Sequence, residues 1–247
     1  MNIIADLHTH TLVSNHAFNT ITEMTAQAKK LGLFAMAVTD HGPSMPDAPH
    51  PWYFYNLMTL PHCVEGVWLL KGTEANVHDR AGTLDFTMAE LAQFAFDWLI
   101  VSIHPNTLHE DLTFETATEL WLNVAKNPHV DMIGHSESRF YEYDYETVTK
   151  AFTQQNKVVE MNANSAVCRP GNEDQMRRLA LACKKNKTKI AINSDAHSIY
   201  HLAQVNSVLP MLQEIDFPQE QIINLTQENF KAHLQSRKKK IADIIWG

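Results

Sequence analysis

Nine residues of two chemical kinds recur at nearly even spacing along the 247-residue chain. They are the imidazoles of His8, His10, His16, His41, His104, His135 and His197 and the carboxylates of Glu74 and Asp195. From His10 the steps to His41, Glu74, His104 and His135 are 31, 33, 30 and 31 residues, and Asn164 and Asp195 follow after 29 and 31 more. Imidazole nitrogen with carboxylate oxygen and no thiolate suits zinc, manganese or iron. Nine donors exceed the four or so that one zinc ion takes, so with one bridging carboxylate they would serve two or three ions. Such a centre lowers the pKa of bound water and neutralises charge on a phosphoryl oxygen, which makes hydrolysis the natural reaction class. His8-Thr9-His10 supports this reading, because alternate residues of an extended segment face one way, and Asp40-His41 and Asp195-Ala196-His197 place similar pairs elsewhere.

A step of about thirty residues is the length of one strand plus one helix, so each step returns the chain to the same end of a parallel sheet. Short β-rich apolar runs at residues 3–7, 34–39, 67–72, 98–103, 130–134, 158–161 and 189–193 predict seven strands, and 3.6-residue periodicity at 22–30, 113–126, 145–156 and 174–185 predicts helices between them. Thr113 and Asn172 precede acidic first turns and are expected N-caps. Ligand-type residues after every strand favour a ring over an open sheet, whose ligands gather at one switch point. The second unit differs: Pro43, Pro46, Pro49, Pro51 and Pro61 replace a clean helix with a long loop expected to help form the site. His50 would lie on its rim, and the aromatic run 52–55 would either cover substrate or pack on the barrel.

Composition narrows the alternatives. Apolar residues make up 45% and charged residues 19%, no apolar run reaches membrane length, and a net charge of −8 disfavours nucleic acid and anionic lipid as partners. The N-terminal residues lack a signal-peptide pattern, and Cys63, Cys168 and Cys183 are scattered, so a cytoplasmic protein with reduced, core-filling thiols is expected. No G-x-S-x-G, P-loop or G-x-G-x-x-G motif is present, which leaves metal-activated water as the better nucleophile. His50, His62, His78, His109, His129, His201 and His233 fall outside the strand-end register and read as surface, cap or loop residues. Met24, Met36, Met58, Met88 and Met161 read as core, and the run from Arg237 to Lys240 as the solvated end of a last helix.

Asp6-Leu7-His8-Thr9-His10 with His16, Thr39-Asp40-His41-Gly42, Glu74, His104, His135 and Ser194-Asp195-Ala196-His197 resemble the motifs of the polymerase and histidinol phosphatase (PHP) domain family. The loop around Asp47-Ala48-Pro49-His50 is most similar to its stand-alone phosphatase-like branch. The resemblance implies one domain over residues 1–247 with an α/β fold, a distorted seven-stranded (β/α)7 TIM-like barrel, and a three-metal site at the C-terminal ends of the strands. The ions would be zinc, with manganese or iron as alternatives. His8, His10, Glu74 and Asp195 would hold one ion, Glu74 would bridge to a second held by His104 and His135, and His16, His41 and His197 would hold the third. Asp6 and Asp40 would orient the imidazoles. The implied activity is hydrolysis of small phosphorylated molecules by a metal-bridging hydroxide, with Glu74 and Asp195 as the catalytic carboxylates.

In one place the sequence departs from that family. Members often follow the ligand at the His135 position with Pro-Gly, whereas here Ser136-Glu137-Ser138-Arg139 follows it. Glu137 would repel phosphate if it pointed inward, and Arg139 would clamp it; Arg80 and Arg169 are the other cations near strand-end loops that would contact a substrate anion. The expected protein is therefore a metal-dependent phosphoric monoester hydrolase with a small phosphorylated substrate and no nucleic-acid or membrane partner, a homo-oligomer being left open. Two other readings stay open at this point: an amidohydrolase-like enzyme for C–N or ester bonds, and a non-catalytic metal-binding regulatory domain. Cations converging on the cluster favour phosphate, an apolar pocket favours an uncharged ester or amide, and a closed site favours regulation.

Overall fold

Apolar runs with no polar face must be covered on both sides, and parallel strands wrapped by helices satisfy that requirement. The computed structural model describes residues 2–169 and 172–247. Its strands are β1 (Ala5–Thr9), β2 (Ala35–Val38), β3 (Cys63–Val64), β4 (Val67–Asn76), β5 (Trp98–Ser102), β6 (Met132–Ile133), β7 (Val158–Asn162) and β8 (Ile190–Asn193). Seven of them pair in parallel in the order β1-β2-β4-β5-β6-β7-β8, and β3 is a short antiparallel addition to β4 that periodicity did not predict. The result is a nearly closed, distorted (β/α)7 barrel of the TIM-like kind. Strand β4 runs on to Asn76 rather than stopping near Gly72, because Thr73, Glu74 and Asn76 find buried partners that only the folded barrel supplies.

The seam between β8 and β1 is held mostly by side chains. Thr9 and Ala196 form a single parallel bridge, while the Asn193 Oδ1 accepts from the Leu7 N–H at 2.9 Å. Asn224 donates to the carbonyls of Ala5 and Ile192 at 2.7 and 2.6 Å, and the Asp6 carboxylate accepts from the Ser194 N–H at 3.2 Å. These bonds satisfy backbone groups that a continuous ladder would otherwise pair.

Along one face of the strands, residues change from apolar to polar toward the C-terminal end: Leu70 then Glu74 in β4, Ile100 then Ser102 in β5, Val158 then Glu160 in β7, Ala191 then Asn193 in β8. With a side-chain period of two these share a face, so the apolar half packs and the polar half builds a site. Phe230 and Leu234, from the helix Gln227–Ser236, and Ile241, from the helix Lys240–Trp246, close the apolar end. No helix of the described residues is long and apolar enough to cross a membrane.

The long helices lie at Ile21–Lys30, Phe114–Ala125, Tyr145–Gln154 and Glu173–Asn186, within a few residues of expectation. Thr113 caps its helix through a capping box, but Asn172 does not cap; its Oδ1 accepts from the Arg139 N–H at 3.2 Å instead. The proline-rich loop carries a short helix, Trp52–Leu57, whose aromatic run divides by direction. Phe54 joins Phe86, Phe94 and Phe96 in the core, Tyr53 turns toward the site, and Trp52 is exposed.

Several residue-type expectations are corrected by packing. Cys183 is buried, but Cys63 and Cys168 are exposed, and Met58 and Met88 also face solvent while Met24, Met36 and Met161 fill the core. His233 is fully buried beside Trp98, and His78 is buried with its ring stacked on His109. Arg237 and Lys239 are not a solvated helix end: both pair with the buried Asp131.

Gly72 pairs with Trp98 between β4 and β5, where an added Cβ would collide with the Trp98 carbonyl oxygen and press on Thr39 Cγ2. The obstacle is backbone in a central strand, so it cannot rotate away. Gly72→Ala is expected to destabilise the fold by about 3 kcal/mol, the upper range for overpacking. Urea melts check this, and a midpoint unchanged from the parent would contradict it.

Candidate metal centre

Residues at the C-terminal ends of the barrel strands converge on one carboxylate. The Glu74 Oε2 lies 3.2 Å from His8 Nε2, 3.4 Å from His10 Nε2 and 3.3 Å from His41 Nε2. Its Oε1 lies 2.9 Å from His135 Nε2 and 3.6 Å from His104 Nε2, and accepts from Ser102 Oγ at 2.5 Å. Asp195 Oδ1 stands 3.6 and 3.3 Å from the Nε2 atoms of His8 and His10. The His197 ring stacks between those of His10 and His16, with centroids 4.3 Å away on each side. All nine predicted residues are thus brought together. Four triples have donor atoms close enough to share an ion: His8, His10 and Glu74; His10, His41 and His197; His41, Glu74 and His104; and His16, His41 and Asp47.

The imidazoles are aimed by their other nitrogen. His8 Nδ1 is 2.8 Å from Glu160 Oε1, His41 Nδ1 is 3.1 Å and His16 Nδ1 2.6 Å from Asp47 Oδ2, His104 Nδ1 is 2.7 Å from Asn76 Oδ1, and His197 Nδ1 is 2.9 Å from the Asp195 carbonyl. Each partner is an acceptor, so Nδ1 carries a proton, and it is Nε2 that would give up its own proton to ligate an ion. For His8, His41 and His104 that Nε2 faces Glu74. His8 Nε2, both ring nitrogens of His10 and His197 Nε2 are buried without a hydrogen-bond partner among the described residues. Buried ring nitrogens without a hydrogen-bond partner, beside two carboxylates, fit divalent cations.

Electrostatics point the same way. Burial is the main cause that lowers His10 well below its ordinary range and His104 to about 3, keeping both neutral. Burial also opposes charge on His41, yet Asp47 and Glu74 raise it to about 10, and Glu160 and Glu74 raise His8 despite burial. Glu74 and Asp195 are held well below the usual carboxylate range by neighbouring imidazoles against the opposing effect of burial. The carboxylates therefore attract positive charge into a space where several imidazoles resist protonation.

Backbone geometry contributes as well. His135 and Asp195 have φ of 24° and 51°, a region that residues other than glycine seldom occupy and that clusters at functional sites. The His135 N–H is held there by Glu160 Oε2 at 2.8 Å.

Other sequence expectations fare differently. Asp6 and Asp40 adjoin the cluster, but their hydrogen bonds among the described residues do not go to imidazole nitrogens. Asp6 binds the backbone of His8 and Ser194, and Asp40 accepts from the Thr11 N–H and from the hydroxyls of Thr11, Ser14 and Tyr53. The carboxylates that orient imidazoles are Glu160 and Asp47. Glu160 was hidden inside an apolar strand, where a lone acid is the available signal; Asn76 lies two residues after Glu74 on the same strand face.

Of the three arginines, Arg169 adjoins the centre, with Nη2 3.5 Å from Asp195 Oδ2 and Nη1 donating to Ser165 Oγ at 3.3 Å. Arg139 stacks on Phe140, and Arg80 faces Glu110 at 3.7 Å. Glu137 is fully buried, accepts from Ser165 Oγ, and has its pKa raised by burial although Arg169 acts against that shift.

The amide of Asn76 is itself oriented. Its Nδ2 donates to Asp85 Oδ2 at 2.5 Å, which directs Oδ1 toward His104, and the missing side chain of Gly42 leaves room for the Asp85 carboxylate. Asn76→Leu is expected to weaken metal binding about 10–100-fold while leaving the far-ultraviolet circular dichroism unchanged. Competition with a chromophoric chelator measures this; unchanged affinity would show that His104 needs no such partner.

A family model described as PHP domain matches residues 6–193. A protein of Acetivibrio thermocellus named "probable phosphatase" is 36% identical over 241 residues, covering 98% of this chain and 99% of its own. Another with that name, from Clostridium botulinum, is 36% identical over 244 residues, covering 99% of both chains. Among solved structures, the histidinol phosphate phosphatase of Lactococcus lactis, complexed with zinc, L-histidinol and phosphate, matches with a TM-score of 0.59 and 15% identity over 87% of this chain and 94% of that one. A putative histidinol phosphatase of Listeria monocytogenes matches with a TM-score of 0.61 and 15% identity over 83% and 99%.

Proposed function

Because the chain belongs to the PHP domain family, we propose that it is a metal-dependent phosphatase that hydrolyses small phosphoric monoesters at a three-ion centre, with zinc as the first candidate and manganese or iron as alternatives. The observation that carries this reading is Glu74, one carboxylate against five imidazoles, three of which have Nε2 aimed at it by a partner at Nδ1. His8, His10, Glu74 and Asp195 would hold one ion, Glu74 with His104 and His135 a second, and His16, His41 and His197 a third. When bound, the ions supply positive charge opposite phosphoryl oxygens and lower the pKa of water toward neutrality.

The chain's own groups do the rest. Arg169 holds a phosphoryl oxygen through a guanidinium already positioned by Asp195 and Ser165. Asp195 and Glu74 exchange protons with the attacking water and the departing alcohol, so no covalent intermediate on the protein is required. His16 is half-exposed and Arg169 partly exposed, which opens the cluster to solvent as catalysis requires and a sealed regulatory site would not. A guanidinium at this edge favours a phosphate over an uncharged amide or ester.

The test is a phosphate-ester panel run on protein loaded with zinc, manganese or iron. Hydrolysis is expected with at least one ester, lost on chelation and restored by the metal. Fewer than two ions per chain by elemental analysis, or turnover that survives chelation, would overturn the reading.

A further inference from the structure

The opposite end of the barrel holds a cavity that the hydrolytic reading leaves unused. It has a volume of about 450 Å³ and lies among His62, Phe96, His129, Lys238, Lys240 and Ile244, with Arg237 and Lys239 also on its wall. Along β5, its floor near Asp97 and the cluster at His104 are separated by roughly 20 Å of extended chain. Arg237, Lys238, Lys239 and Lys240 line its wall with one carboxylate, Asp97, while Lys71 and Lys157 lie behind it and Asp131 pairs with Arg237 and Lys239. Arg237 and Lys239 are engaged by Asp131, while Lys238 and Lys240 have no ion-pair partner among the described residues. In a chain of net charge −8, so local an excess of positive charge exceeds what neutralising Asp131 requires.

We propose that this cavity is a second binding site, separate from the metal centre, for a small phosphorylated molecule carrying an apolar part. The cations would hold the phosphate, and Phe96, Ile244 and the neighbouring Met58 and Leu91 would hold the apolar part. Its volume is that of a small-molecule pocket, and the acidic remainder of the surface disfavours an extended polyanion such as RNA. The local field is consistent with this occupant. Burial together with Arg237 lowers Lys157 to about 7, and burial together with Lys239 lowers His129, with Asp131 opposing both shifts. Lys238 also adopts a φ of 53°, a position after a helix where glycine is the common choice.

That conformation supplies a clean variant. Lys238→Gly with Lys240→Ala removes both unpartnered charges, and glycine suits the left-handed backbone, so lost binding would not reflect a strained fold. Calorimetric titration with adenosine 5′-monophosphate and with inorganic pyrophosphate, on metal-loaded and on chelator-treated protein, is the test. Saturable binding of the nucleotide is expected to persist after chelation, to fall about a hundredfold in the double variant, and to leave metal content and ester hydrolysis as in the parent. Pyrophosphate binding more tightly than the nucleotide would remove the role of the apolar wall. No chelation-resistant binding, or equal binding by the double variant, would overturn the site, as would RNA that competes more strongly than either probe. None of these outcomes depends on whether the metal centre hydrolyses phosphate.

Discussion

Glu74→Gln is expected to lower phosphatase turnover by roughly a thousandfold and to leave the protein with fewer bound ions than the parent. Glutamine keeps the volume of the side chain and can still accept from Ser102 Oγ, so the substitution tests charge rather than packing. What it removes is the anionic charge that five imidazoles surround and the second ligating oxygen that would let one side chain serve two ions. A loss of about 4 kcal/mol of transition-state stabilisation corresponds to that rate change, and is the scale expected when positive charge at a phosphoryl oxygen is disrupted. Steady-state kinetics and elemental analysis on the same preparation measure both effects. Parent-like metal content with a rate within tenfold of the parent would remove Glu74 from the centre.

Glu160→Gln is expected to have the second largest effect, although Glu160 faces no substrate. Its Oε1 accepts from His8 Nδ1 at 2.8 Å and Asn193 Nδ2 at 2.9 Å, and its Oε2 from the His135 N–H at 2.8 Å and Asn162 Nδ2 at 3.0 Å. Four donors meet one fully buried carboxylate, so a glutamine must turn its own N–H groups toward at least one of them. Leaving buried donors unsatisfied costs about 1–3 kcal/mol each, and losing the acceptor that aims His8 weakens metal binding about 10–100-fold.

The same residue predicts a pH dependence in chelator-treated protein. Burial would raise the Glu160 carboxyl, but His8 and the hydrogen bond it donates hold it below its ordinary value of 4.5. A carboxylate lowered in the folded state binds fewer protons than in the unfolded chain. Its stabilisation is therefore present above about 4.5 and is lost as the pH falls through the lower folded value. Acid unfolding of Glu160→Gln should lack this contribution, so the gap in stability between parent and variant narrows as pH drops below that range. Urea melts at a series of pH values test it, and a gap that stays constant would show that Glu160 acts by packing alone.

Much of this was open to reading from the chain. Strand and helix periodicities are local, and their combined length sets the thirty-residue return, so seven parallel strands and nine ligand-type residues at one end of a barrel follow from spacing and residue type. Partners were not local. His8 meets Glu160 across 152 positions, Asp131 meets Arg237 across 106, and Asp6 serves the seam to Ser194 across 188. Such pairs depend on how the strands stagger as the barrel closes, which neither periodicity nor motif spacing encodes. The residue types alone therefore determined that imidazoles and carboxylates would meet. Only the closed barrel decided that Glu160, Asp47 and Asn76 would aim those imidazoles, that Arg169 would stand beside Asp195, and that four consecutive cations would fold onto the far end. The reason is that a hydrogen bond is selected by direction within a few tenths of an ångström, whereas sequence spacing sets position only to within a turn or a strand.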